Sequence, residues 1–243
     1  MNQPKPSAAP VNPGLNAPRW TALVAGASGL VGRRLLEGLA ATPECQRIIA
    51  ITRRPLAYDH PKLANRIVSF EKLEDSVAAT RADIAFCCLG TTLKAAGSED
   101  AFRRVDFDYT VAFARAARTA GATRFVLNSS VGADSKSKYF YLRVKGEAEE
   151  TIAKVGFASL DILQPSLLLG MRSELRPLEL LMMGTLPLVS PLLLGRFEVY
   201  RPVSAGIVAA AMIGATSTGR KGLYRYAWRG INELANKRKP KRR

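Results

Sequence analysis

The sequence predicts an α/β protein built as a doubly wound parallel sheet with a small C-terminal lobe. Three observations point there. Short apolar runs alternate with amphipathic helical stretches from Trp20 to about Gly170. The first run passes into the first helical stretch through GASGLVG, with glycines at 26, 29 and 32. The fourth run, ADIAFCCLG, is apolar without alternation, as expected of a strand covered on both faces.

The elements follow in order. TALVAG is a β-prone run and LVGRRLLEGLAA the helix after it. RIIAIT and RIVSF are the next strands, and EKLEDSVAAT a helix before ADIAFCCLG. SEDAFRRVDFDYTVAFARAARTAG reads as one long amphipathic helix closed by a glycine. RFVLNSS is the fifth strand, KYFYLRVKGEAEETIAKVG a helix, and ASLDILQPSLLLG a sixth strand with its exit loop. Units of this size joined by right-handed crossovers make a parallel sheet. Beyond about Gly170 the alternation loosens, and YRPVSAGIVAAAMIGAT resembles one more strand end and a helix.

The 243 residues suit a single domain over 19–235, its lobe beginning near 170 and packed over the strand ends where open α/β sheets take ligands. Residues 1–18, rich in Pro, Ala and Asn and lacking a signal-peptide apolar core, read as a disordered leader. Residues 236–243, NKRKPKRR, hold six cations and no acid and read as a solvated basic tail. The minority reading of that tail is contact with nucleic acid or an anionic membrane. Lys plus Arg outnumber Asp plus Glu by 36 to 20, a net +16 that favours phosphorylated or polyanionic partners.

Three cysteines, Cys45, Cys87 and Cys88, give neither a disulfide framework nor a metal spacing, and they point to the reducing cytoplasm. The single histidine, His60, is expected in a solvated loop, and no ligand set for a metal is apparent. The stretch 178–195, LELLMMGTLPLVSPLLLG, is nearly long enough to span a bilayer, but Pro187, Pro191 and its glycines break it. A buried helix and turn over a ligand pocket, greasy enough to touch a membrane surface, is the expectation.

The glycine turn has a specific physical use. One glycine serves the tight bend, one the close approach of a pyrophosphate, and one the packing of helix on sheet, while the helix N-terminus faces the anion. Its place between a strand and a helix makes Gly26, Ala27, Ser28, Gly29, Leu30, Val31 and Gly32 candidate dinucleotide ligands in a Rossmann sheet. At the end of the second strand, where NAD-selecting folds carry an acid, stand Arg53 and Arg54, 21 and 22 residues after Gly32. Two guanidinium groups suit a 2′-phosphate, so NADP(H) is preferred and NAD(H) admitted. Tyr141 and Lys145 are one helical turn apart on one face. A nearby ammonium favours a phenolate, which makes the tyrosine a usable acid/base. Tyr139 with Arg143 has the same spacing but points elsewhere, so Tyr139 is the structural tyrosine of the two.

Tyr141 and Lys145, preceded by Ser129 and Ser130 at the end of the fifth strand and by the glycine turn, resemble the short-chain dehydrogenase/reductase superfamily. CCLGTT at 87–92, VDFDYT at 105–110, SSVGADSKSKYFYLRVKGEAE at 129–149 and QPSLLLGMRSELRP at 164–177 resemble its small Tat-interacting-protein-like oxidoreductases, with an epimerase/dehydratase-like dinucleotide fold. The resemblance implies Tyr141 as proton donor or acceptor and Lys145 as ribose ligand. Ser130, with Ser129 as the alternative, would orient the substrate oxygen. It also implies Leu89, Gly90 and Thr91 beneath the adenine and ribose, Leu168 along the nicotinamide and Arg176 on a cofactor phosphate. Two departures stand out: VDFDYT offers Asp106 and Asp108 where many members have an asparagine, and Gln164 replaces the usual arginine before Pro165.

The function implied is NADP(H)-dependent hydride transfer to or from a carbonyl or alcohol on a small apolar substrate. The alternative is an NADPH-binding regulatory or interaction protein with little turnover. A nucleotide-sugar epimerase is disfavoured by the short lobe. Relatives pair through the helix of Tyr141 and the one before it, so the resemblance admits a homodimer.

Overall fold

A computed structural model of the chain describes residues 19–169 and 195–237. Its strands are β1 (Trp20–Ala25), β2 (Cys45–Thr52), β3 (Leu63–Ile67), β4 (Ile84–Cys87), β5 (Arg124–Asn128), β6 (Ser159–Leu163), β7 (Leu168–Leu169), β8 (Val203–Ser204) and β9 (Gly222–Tyr226). Seven of them form one sheet in the order β3–β2–β1–β4–β5–β6–β9, every neighbouring pair parallel. A separate parallel pair joins β7 to β8. Central strands such as β4 are buried at every position, which is why they read as unbroken apolar runs.

Helices cover both faces. On one lie α1 (Leu30–Ala40), α7 (Ala205–Thr216) and α8 (Trp228–Asn236), which bury Leu35, Leu36, Leu39, Val208, Met212, Ile231 and Leu234 against Val24 and Phe86. On the other, α2 (Leu73–Ala78), α5 (Tyr109–Thr119) and the end of α6 (Phe140–Ala153) pack on Phe125, Leu127 and Ile162. Each fully buried Phe or Leu of these layers contributes about 1.5–3 kcal/mol. The short α3 (Leu93–Ala96) and α4 (Glu99–Arg103) lie between β4 and α5.

Three expectations change. The long helix from Ser98 to Gly121 is divided: a π turn over Arg104–Asp108 separates α4 from α5. That turn inserts an extra residue per bonded loop and rotates the residues after it, so a 3.6-residue template misplaces its faces. The chain from Val203 onward, read as part of a lobe, completes the sheet with β9 and the α1 layer with α7 and α8. Gly214 makes this packing close, since a Cβ there would overlap the Leu234 carbonyl of α8. His60 is half-buried rather than solvated: Nδ1 accepts from the Lys62 N–H at 3.1 Å and its ring stacks on Tyr58.

Arg176, most of the apolar stretch 178–195, the leader 1–18 and residues 238–243 of the basic tail lie outside the described residues. Among the described residues no helix is long and apolar enough to cross a membrane.

Candidate functional site

The glycine turn sits at the C-terminal end of β1. Gly26 has φ +77°, and a Cβ on it would overlap the Cys88 carbonyl and the Leu89 nitrogen, so the β1 and β4 exits pass at backbone contact. The Gly29 N–H donates to the Gly26 oxygen at 3.0 Å, and a Cβ on Gly32 would strike that same oxygen. Ser28 and Gly29 are exposed, whereas Ala27, Val31 and Gly32 are buried and Leu30 half-buried. No side chain caps the first turn of α1, so its N–H groups stay available to an anion.

Arg53 and Arg54 follow β2, both exposed, and among the described residues no hydrogen bond or ion pair engages either guanidinium. Beside them opens a cleft of about 400 Å³ lined by Ser28, Arg33, Glu37 and Pro55 to Tyr58. Arg33 was not legible as a site residue; its Nε donates to the Ser28 carbonyl and closes the turn from outside. A larger cleft, about 530 Å³ near Thr21, Asp83 and Gly121, opens at the opposite end of the strands, away from this constellation.

The acid/base candidates stand on α6. Tyr141, Lys145 and Glu149 recur every fourth residue and share one face. Tyr141 is half-buried, with its ring 5.4 Å from the centroid of the fully buried Phe102. The Lys145 ammonium is 2.7 Å from Asp106 Oδ1, their side chains 9% and 0% exposed. Asp106 Oδ2 accepts the Thr91 N–H at 2.8 Å, and the ammonium is the sole partner of Oδ1 among the described residues. Burial works to lower the Lys145 pKa, but Asp106 first, then Tyr141, more than reverse it, and the ammonium stands above the ordinary lysine value. Burial pushes the neighbouring Cys87 thiol up to about 11, so it stays neutral.

Gly90 lies against this pair. A Cβ there would stand 3.3 Å from Asp106 Oδ1 and 3.4 Å from Lys145 Nζ. Leu89 is half-buried towards α5 and Leu168 half-buried towards α1 and α7, so the two flank opposite faces of the strand ends.

The two serines part company. Ser129 is buried and donates to Glu149 Oε1 at 2.6 Å, while Ser130 is half-buried and among the described residues its hydroxyl makes one 3.4 Å contact, with the Val131 oxygen. Glu149 also accepts from Gln164 Nε2 at 2.9 Å and Arg225 Nε at 2.8 Å. Gln164, at the place of the usual arginine, thus binds the same carboxylate as a guanidinium that comes from β9. Gly146 seats the serine loop on α6: a Cβ there would overlap the Asp134–Ser135 peptide, and Asp134 N–H donates to the Leu142 oxygen. Tyr139 precedes α6 and is 74% exposed, so little of it packs against the fold, which corrects the expectation of a structural tyrosine.

These features are those of a dinucleotide site, and residues 26–168 match the family model described as NAD(P)H-binding. The chain belongs to that family. It is similar to Protein HTATIP2 of Rattus norvegicus, 39% identical over 171 residues that cover 68% of this chain and 70% of that protein. It is 41% identical over 161 residues to Protein fmp52, mitochondrial, of Emericella nidulans, covering 63% and 69% of the two chains. Among solved structures it superposes on MoeE5 in complex with UDP-glucose and NAD with a TM-score of 0.63 at 16% identity, over 88% of this chain and 79% of that one. The fold is a Rossmann-like, doubly wound α/β sheet, as the motifs predict.

Proposed function

We propose that the protein is an NADP(H)-dependent oxidoreductase of the short-chain dehydrogenase/reductase type, transferring hydride to or from a carbonyl or alcohol on a small apolar substrate. The observation that carries this reading is the Tyr141–Lys145 face at the exit of β4, next to Gly90 and one strand from the glycine turn. The residues fit a nicotinamide dinucleotide: an uncapped helix start for the pyrophosphate, two guanidinium groups without a hydrogen bond or ion pair among the described residues for a 2′-phosphate, and a glycine where a side chain would fill the space over Lys145.

The dinucleotide, when bound, supplies or takes up the hydride. Tyr141 does the proton work: its O–H bond breaks as the proton passes to the carbonyl oxygen in reduction, and forms again in alcohol oxidation. Lys145 spends one N–H on Asp106 and has two left, for ribose hydroxyls and for the phenol. Ser130 is the serine we assign to the substrate oxygen, because the Ser129 hydroxyl is donated to Glu149. The three free cysteines support a reducing compartment, the cytoplasm in our reading; fmp52 carries mitochondrial in its name.

In Tyr141→Phe, NADPH binding should persist while carbonyl reduction falls by about 10²–10⁴-fold. Wild-type protein that leaves NADPH unoxidised across a broad carbonyl panel would overturn the enzymatic reading. A second reading, NADPH-dependent regulation with little turnover, has one observation in its favour: the lysine charge is already committed to a buried carboxylate. NADPH titration with tight binding, no oxidation and altered partner capture would select it.

A further inference from the structure

We propose that Asp106 is the positioning residue of this site, fixing the Lys145 ammonium and the β4 exit loop as one rigid unit. This rests on the Tyr141–Lys145 reading above and adds to it a residue from the π turn. The π turn puts Asp106 on the inner side, 1% exposed, while Asp108 two residues on is exposed. The turn is held by Thr110, whose hydroxyl donates to the Val105 carbonyl five residues back. A regular helix there would face Asp106 differently, since each residue turns it by about 100°.

The two carboxylate oxygens have separate tasks. Oδ2 holds the Thr91 N–H and therefore the loop that carries Leu89 and Gly90; Oδ1 holds, among the described residues, the ammonium alone. A Cβ added at Gly90 would stand 3.3 Å from the carboxylate and 3.4 Å from the ammonium, so the loop backbone, the carboxylate and the ammonium converge on one place. A ligand over Gly90 thus meets a lysine whose head cannot swing. A lysine on a flexible four-carbon stem otherwise loses rotamer freedom when a ligand orders it.

The groups that face the ammonium are Asp106 from the π turn, Tyr141 from α6 and the neutral Cys87 thiol from β4. Asp106 is the one carboxylate among them. Without it, burial dominates and the lysine sheds its proton at lower pH.

The test is Asp106→Asn, which keeps an acceptor for Thr91, in the full chain, with Asp108→Asn as control. Acetic anhydride acylates only neutral amines, so the pH midpoint of Lys145 acylation, read by peptide mass spectrometry against exposed Lys138, reports its proton affinity without cofactor. In wild type the Lys145 midpoint should lie above that of Lys138. In Asp106→Asn it should fall by about one to three pH units, and in Asp108→Asn it should not move.

NADPH affinity supplies the second measurement. The ratio of the Asp106→Asn to wild-type dissociation constants should grow with pH, by up to about tenfold per unit, once the variant lysine titrates. A Lys145 midpoint equal to or below that of Lys138 in wild type, or unchanged in Asp106→Asn, overturns the inference. If Asp106→Asn does not fold, the wild-type midpoint alone decides. Absence of NADPH binding by wild type would instead overturn the oxidoreductase reading and leave the acylation result to judge Asp106.

Discussion

Two buried carboxylates serve the same face of α6, and they are satisfied in opposite ways. Glu149 is surrounded: Ser129, Gln164 and Arg225 all donate to it, from the end of β5, the end of β6 and from β9. Asp106 has a backbone N–H on one oxygen and the Lys145 ammonium on the other. The saturated carboxylate ties strands to a helix and leaves its donors with little to offer a ligand. The sparsely bonded one holds a cation whose remaining donors are free to work. Distance along α6 thus separates a structural network from the one to which we assign the chemistry, one helical turn apart.

Removing Glu149 tests the structural half. In Glu149→Ala the Ser129 hydroxyl and the Gln164 amide lose a buried acceptor, each worth about 1–3 kcal/mol. We expect a loss of about 3 kcal/mol, a fall in Tm of roughly 6–12 °C for a chain of this size. Retention of wild-type Tm would erase the contrast with Asp106.

The chemical half should show in alkaline stability. The folded pKa of Lys145 is raised, so its stabilisation is complete below the unfolded value of 10.5 and is lost as pH rises through the higher folded value. Urea unfolding of wild type should therefore weaken more than that of Asp106→Asn above pH 10.5; equal slopes would remove the pair from the stability account.

Arg225→Ala separates the guanidinium from the neutral donors around Glu149. Its side chain is 41% exposed, so solvent screens the ion pair and the loss should stay under about 1 kcal/mol. A larger loss would place the weight of the network on charge. Smallest of all, Tyr139→Phe should leave both Tm and turnover within error, because the residue is 74% exposed.

Much of the molecule was legible along the chain. The strand and helix alternation, the glycine turn and the Tyr141–Lys145 spacing are local patterns, and local geometry places them. β9 was missed because GLYRY is a short edge strand in which no residue is fully buried, and it gains its meaning only by pairing with β6. The choice between Ser129 and Ser130 depends on Glu149, 20 residues away, which takes the Ser129 hydroxyl. Arg225 supplies a guanidinium beside Gln164 from 61 residues further on, a link that no motif encodes.

By itself, then, the sequence determined the strand and helix alternation up to β6, the glycine bend and the shared face of Tyr141 and Lys145, because each depends on residues within a turn or two of one another. Only the tertiary structure decided which carboxylate meets which cation. The π turn rotates Asp106 inward, and strands distant in sequence converge on Glu149, so buried charges find partners through packing rather than spacing.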